Sequence, residues 1–272
     1  MGAIRCAGLW TRGRLNAKSS SNTEDAPWRG AWSSIVRRAP TADLVRNQPD
    51  PQGRRLACLN LPTSTAVVLG STQQETDVDL AKCCAQSVPV VRRRSGGGAV
   101  LIVPRSQIWI DLFLPADDPL FEHDIVKASH WVGQAWRASL ARVTHATGPR
   151  LQVHDRLEVT RWSRQICFSG SGPGEVSLDG KKIVGLSQRR GRPGAWFFSM
   201  AVVKNEQRDL TDLLAFDLPE DRREAADELA LSVGAIGDLS SHLEREFAVE
   251  LAISWSAGED VPAEPHPGEA DR

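Results

Sequence analysis

The sequence predicts an α+β fold, a central mixed β-sheet flanked by helices. Three observations predict it. Short β-prone runs group in the first part of the chain. Helical runs are interspersed among them and dominate the end. An Asp-Gly pair, Asp179-Gly180, lies between two short β-prone runs, where a tight hairpin turn belongs.

Taken in order, Ser33–Val45 has the pattern of a short amphipathic helix, and residues 47–54, with two prolines and a glycine, that of a loop. Thr65–Gly70 reads as a buried strand stopped by glycine, Val78–Ala85 as a helix and Val88–Arg92 as a short strand ending in arginines. Ala99–Val103 is a further strand. Gln107–Leu114 is another, with Ile108, Ile110, Leu112 and Leu114 on one face. Ile125–Val143 keeps its apolar residues at helical spacing. A turn at Gly172–Gly174 leads into the hairpin of Glu175–Leu178 and Lys182–Val184. Trp196–Val203 is a strand, and Glu220–Leu231 and Asp238–Val249 are helices. Residues 1–26 and 257–272 lack an apolar period and read as flexible tails around one domain, 27–256.

Composition bounds the function. A net charge of −1 over 272 residues gives no global field for nucleic acid or an anionic membrane. No apolar run is long enough to span a bilayer, and no apolar segment follows the N-terminal arginines, so the expected location is the cytoplasm. Cysteines stand at 6, 58, 83, 84 and 167, an odd number without a CxxC or zinc-ligand spacing. Free thiols and no metal site are expected. His123, His130, His145 and His154 form no HExxH or Ser-His-Asp pattern. Asp111, on the strand after the glycine run, is a candidate for orienting a lysine. The nine tryptophans read as core packing, with the lining of an apolar ligand tunnel as the other use for some of them.

The most informative stretch is Val90-Val91-Arg92-Arg93-Arg94-Ser95-Gly96-Gly97-Gly98-Ala99-Val100. Three glycines between two β-prone runs let a ligand lie against the backbone, where N–H groups can reach it. Amide donors beside arginines suit phosphate, carboxylate or thioester oxygen. No Gly-Lys-Ser/Thr follows and the GxGxxG spacing is missing, so neither a Walker loop nor a dinucleotide fingerprint is present.

Arg-Arg-x-Ser-Gly-Gly-Gly-Ala-Val after a strand resembles the hallmark of the lipoate–protein ligase and lipoyl/octanoyl transferase superfamily, relatives of the biotin ligases. Val67-Val68-Leu69-Gly70-Ser71-Thr72-Gln73 resembles the family's strand-Gly-x-x-Gln segment. Gly180-Lys181-Lys182-Ile183-Val184-Gly185-Leu186-Ser187-Gln188 resembles its lysine motif. The resemblance covers about residues 60–205. It implies a biotin/lipoate ligase-like (class II synthetase-like) catalytic domain, with Lys182 aimed at the acyl carbonyl. The substrate would be bound by Gly70, Ser71, Gln73, Arg93, Arg94, Ser95, Gly96, Gly97, Gly98, Ala99, Gly185 and Ser187.

Cys167-Phe168, fifteen residues before Lys182, is similar to the Cys-Phe pair of LipM-type octanoyltransferases, in which the cysteine carries the acyl chain as a thioester. That likeness implies transfer of an octanoyl or lipoyl group from acyl carrier protein to a lysine of a lipoyl domain. The acceptor would be glycine cleavage H protein or a 2-oxoacid dehydrogenase subunit, and no cofactor is needed. The Gly-Gly-Gly run itself is closer to ATP-dependent lipoate ligases, which would use ATP and Mg²⁺ through an acyl-adenylate. Gly-Ser-Gly-Pro-Gly-Glu replaces the transferase's Pro-Ser-x-Tyr-Glu, while the ligase's Gly-Asn pair after the glycine run is absent. Transferase, ligase and a non-catalytic acyl- or lipoate-binding module remain open at this point. Arg189, Arg190 and Arg192 are candidates for meeting an acidic carrier or lipoyl domain.

Overall fold

The computed structural model describes residues 32–146, 148–251 and 253; both predicted tails lie outside them. Ten strands form two sheets. They are β1 (Ser33–Ala39), β2 (Leu56–Pro62), β3 (Ala66–Leu69), β4 (Val90–Arg92), β5 (Val100–Ile102), β6 (Gln107–Pro115), β7 (Leu151–Val153), β8 (Val176–Leu178), β9 (Lys181–Gly191) and β10 (Gly194–Val202). The seven-stranded sheet has the order β1-β2-β6-β10-β9-β8-β7, and the three-stranded sheet the order β4-β3-β5. Both are mixed: β1 pairs parallel with β2, β3 parallel with β4, and the other pairs are antiparallel.

Six helices complete the fold: α1 (Thr41–Arg46), α2 (Leu80–Ala85), α3 (Ile125–Thr144), α4 (Leu210–Leu213), α5 (Pro219–Ser232) and α6 (Ser240–Glu250). The long helix α3 starts where the Asp124 carboxylate accepts from Val126 N at 2.8 Å and Lys127 N at 3.1 Å, satisfying two orphan donors. It stops at His145, whose φ of 55° is left-handed.

Strand β6 explains the layering. All nine of its residues are buried. Ile108, Ile110, Leu112 and Leu114 face the core built with α3 and α6, as the alternation predicts. On the opposite face Trp109 joins the core under the small sheet, and Phe113 packs with Leu56, Cys58 and Trp196. The large sheet is thus covered by helices on one face and by the small sheet, with α4 and α5, on the other.

The hairpin over 175–184 forms as expected. Asp179 and Gly180 both have positive φ, 51° and 77°, as a two-residue turn of the tight primed type requires. Ser33–Val45 is not one helix: it divides into β1 and α1 at Pro40. Proline has no N–H to donate and holds Ala39 extended. β1 finds partners along its whole length, from Ser33 opposite Leu56 to Ala39 opposite Pro62. Strand β2 escapes the sequence pattern because it is buried on both faces over Leu56–Asn60 and shows no alternation.

The α3–α6 contact is anchored by Trp136, fully buried and stacked on Phe247 with ring centroids 4.0 Å apart. Trp136→Ala should cost about 3–5 kcal/mol. A urea titration should show a lower midpoint with an unchanged slope.

Candidate functional site

Two connections bring the sequence motifs together at the end of the small sheet. The first is the glycine run between β4 and β5. Gly70 ends β3, and a β-carbon built there would stand 1.8 Å from Gly97 O; Gly97 itself has a φ of +94°. Any side chain at Gly70 would push the run away. A β-carbon at Gly98 would meet the backbone of Ile166 and Cys167 at 2.6–2.8 Å. Gly97, by its positive φ, and Gly98, by this close approach, therefore require glycine, whereas a β-carbon at Gly96 would meet open space.

Arg93 holds its shape. Its guanidinium donates to Val68 O, Gly96 O and Gly98 O at 3.2, 2.7 and 2.8 Å, and to Ser95 Oγ at 3.2 Å. Its Nη2 also lies 3.9 Å from Cys167 Sγ. With the carbonyls of Gly96 and Gly98 held this way, the N–H groups of Gly96, Gly97 and Gly98 find no acceptor among the described residues. Ser95 is buried and its Oγ meets Ser187 Oγ of β9 at 2.9 Å.

The second connection is the turn 166–175. Cys167 N donates to Ala99 O at 2.9 Å and Ala99 N to Gln165 O at 2.7 Å, a two-way bridge to the strand after the glycine run. Cys167 Sγ is partly exposed and stands 3.5 Å from the β-carbon position of Gly97. Gln73 is also buried here. It accepts from Gly70 N at 2.9 Å and donates to Gln165 O at 3.1 Å, so it ties the end of β3 to the cysteine turn.

Lys182, 3% exposed, is placed differently from the expectation that it points at an acyl carbonyl. Its ammonium lies 2.6 Å from Glu175 Oε2 and donates to Cys167 O at 2.9 Å and Gly170 O at 2.8 Å. Those contacts use all three of its protons. It also lies 4.9 Å from the centre of the Phe168 ring. Glu175 is equally occupied, accepting from Gly172 N at 2.7 Å and Leu186 N at 3.0 Å. Sequence reasoning passed over Glu175 as one letter of a divergent motif; its spacing of seven from Lys182 was the available signal.

Beside Cys167 opens a cleft whose empty volume, open solvent at its mouth included, is about 740 Å³. Arg94, Cys167 and Ser187 line it together with Gly185, Phe198 and Met200. Gly185 leaves room for Phe168, whose ring a β-carbon would approach to 3.0 Å. The far wall includes Leu44 and Val45 of α1, Trp109 and Asp111. Lys182, Gln73 and Ser71 do not line it; Ser71 is exposed, its N–H bound to Ser95 O at 2.9 Å.

Asp111 has no lysine partner, contrary to the expected role. Its carboxylate accepts from Trp109 Nε1 at 2.7 Å and from Asn60 Nδ2 at 2.9 Å; Asn60 Oδ1 accepts in turn from Arg37 at 2.9 Å. Burial pushes its pKa up to about 7, against the opposing pull of the Trp109 bond, the Arg37 charge and the Asn60 bond. Of the basic cluster near 190, Arg190 is taken up by Gln188, His123 O and the Phe121 ring, while Arg189 and Arg192 are exposed.

The family model for the lipoyl protein ligase A/B catalytic domain matches residues 45–254. Octanoyltransferase LipM of Exiguobacterium sp. (strain ATCC BAA-1283 / AT1b) is 26% identical over 176 residues, 64% of this chain and 63% of that protein. Octanoyltransferase LipM of Clostridioides difficile (strain 630) is 27% identical over 120 residues, 43% of this chain and 41% of that one. The chain thus spans less than two thirds of the length of these curated relatives. Among solved structures, a bipartite lipoate protein ligase with its E2 lipoyl domain from Thermoplasma acidophilum superposes with a TM-score of 0.61 at 15% identity, covering 86% of this chain and 89% of that one. Lipoate-protein ligase A bound with ATP gives 0.56 at 18% identity, covering 85% and 89%. These two share the fold.

Two substitutions test the site's internal forces. Lys182→Met strands the Glu175 carboxylate and should cost about 3–5 kcal/mol, part of it recovered by adding Glu175→Leu, as read by denaturant unfolding. Asp111 has a folded pKa above its unfolded value. Its contribution to stability is therefore full below about pH 4 and lost as pH rises through about 7. From pH 5 to pH 8 the wild type should lose roughly 2–3 kcal/mol relative to Asp111→Asn. Equal pH profiles for the two proteins would refute the burial effect.

Proposed function

Because the chain belongs to the lipoyl protein ligase A/B catalytic-domain family, we propose that it transfers an octanoyl or lipoyl group to a lysine of a lipoyl domain through a thioester on Cys167. The observation that carries this reading is the place of Cys167. Its sulphur stands at the mouth of a largely apolar cleft, against Gly97, with three loop amides free beside it. The similarity to two octanoyltransferases supports the same reading.

The donor is an octanoyl thioester of acyl carrier protein, with the acyl chain in the cleft. Cys167 Sγ attacks the carbonyl carbon. The new S–C bond forms, the donor's C–S bond breaks, and the thiol proton ends on the released phosphopantetheine thiol. The negative charge that builds on the carbonyl oxygen is met by the amides of Gly96–Gly98. These donors need no rearrangement, whereas Lys182 would have to leave Glu175 and two carbonyls. Lys182 instead fixes the main chain at Cys167 and three residues beyond it. The acceptor lysine then attacks the thioester carbon. A C–N bond forms, the C–Sγ bond breaks, and a proton passes from the amine to Cys167. Arg94 is exposed, has no hydrogen-bond or ion-pair partner among the described residues and lines the cleft, where it would meet the phosphate of the carrier arm.

The second reading is an ATP-dependent ligase. It is favoured by the same free amides and Arg94, which would hold an adenylate phosphate equally well. Here Cys167 takes no part in bond making, and Mg²⁺ would enter with the nucleotide.

Intact-mass analysis after incubation with octanoyl-acyl carrier protein, without ATP, separates the two. The wild type should gain one hydroxylamine-sensitive octanoyl group and Cys167→Ala none. Modification of a lipoyl domain only with free lipoate and ATP, undiminished in Cys167→Ala, would replace the transferase by the ligase.

A further inference from the structure

The wall of the cleft opposite Cys167 carries a group that an acyl tunnel for plain alkyl chains does not need. Asp111 is 3% exposed and lines the cleft among Leu44, Ile102, Trp109 and Phe198. Each of its oxygens accepts one hydrogen bond, from Trp109 Nε1 and from Asn60 Nδ2. A carboxylate has about four lone-pair sites, so roughly half of its capacity is still open. Among the described residues no lysine or arginine donates to it; Arg37 reaches it through Asn60. A buried carboxylate with open acceptor sites is costly unless something donates to it.

The register of the sheet places this group. Asp111 on β6 lies opposite Phe198 on β10, which lies opposite Ser187 on β9. Ser187 marks the mouth, bonded to Ser95 of the glycine run. Neighbouring strands are about 4.8 Å apart, so the row from Ser187 to Asp111 is roughly 10 Å long. Three main-chain bonds span about 3.8 Å, so the seven bonds of an eight-carbon chain extend about 9 Å. An extended eight-carbon acyl group with its carbonyl beside Ser187, laid along this row across Phe198, would reach Asp111.

We propose that Asp111 makes the far end of the cleft selective for acyl chains carrying a hydrogen-bond donor, a hydroxyl in the simplest case, at or next to the eighth carbon. This rests on the reading of the cleft as an acyl site and names the substrate class within it. The donor fills an open acceptor site on Asp111. A plain methyl terminus leaves that site empty and excludes the water that would otherwise fill it. Asn60 and Trp109 fix the carboxylate, and Arg37 fixes Asn60, so the acceptor is presented in one orientation.

The test is calorimetric titration of the full chain at pH 8 with two probes, octanoate and 8-hydroxyoctanoate. The wild type should bind the hydroxy acid at least about tenfold more tightly. Asp111→Leu should abolish that preference and tighten octanoate binding. Asp111→Asn, which keeps the shape in case the leucine variant fails to fold, should narrow the preference to less than about threefold. Equal affinities in the wild type, a preference for octanoate, or equal weakening of both probes by Asp111→Asn would overturn the proposal while leaving the acyl site standing. Binding of neither probe would overturn both.

Discussion

The buried ion pair between Lys182 and Glu175 is the constraint on which the site depends. Neither group is worth burying for its own sake, since desolvating two charges costs as much as their attraction returns. The pair holds because both partners are hydrogen-bonded beyond each other. Lys182 donates to two carbonyls of the cysteine turn, and Glu175 accepts from the amides of Gly172 and Leu186. Those partners lie on the turn 167–175 and on β9. The pair therefore locks the turn that carries Cys167 onto the strand that carries Gly185 and Ser187.

The glycine run is set against that fixed turn. Contacts from opposite sides compress it, Gly70 on one and the backbone of Ile166–Cys167 on the other. Arg93 draws its carbonyls inward, which leaves its amides without protein acceptors beside the cysteine sulphur. A residue that looks like a ligand-binding arginine in the sequence thus clamps the loop's own carbonyls while also lining the cleft. Its neighbour Arg94 stays free at the cleft. Both side chains line the cleft, but Arg93 is drawn onto the carbonyls of Val68, Gly96 and Gly98. Beneath the site, β6 joins an apolar face turned to the helices with a face carrying Trp109, Asp111 and Phe113. The carboxylate in that face makes burial less favourable at high pH, a stability cost at a residue that lines the cleft.

Much of this was legible in the chain. The α+β class, the long helix from Ile125, the Asp179-Gly180 hairpin and the inward face of β6 follow from periodicity and turn chemistry, which are local properties. The motifs at Gly96–Gly98, Cys167 and Lys182 were also visible, because glycine runs and invariant-looking spacings are written in consecutive residues. Strand β1 was not legible: its residues have helical spacing and become extended only because β2 lies alongside with open hydrogen bonds.

By itself, then, the sequence determined which segments curl, which extend, and which residues carry nucleophilic, cationic and amide groups. Only the tertiary structure decided how those groups are spent. It turned Lys182 from the cleft to Glu175, closed Arg93 onto carbonyls, left Arg94 and three amides open, and put Asp111 on the wall of the cleft. The reason is physical. A local pattern fixes the direction in which a side chain leaves its own strand or helix. Whether that side chain meets a carbonyl, a carboxylate or empty space depends on residues tens of positions away, brought beside it by sheet register and burial.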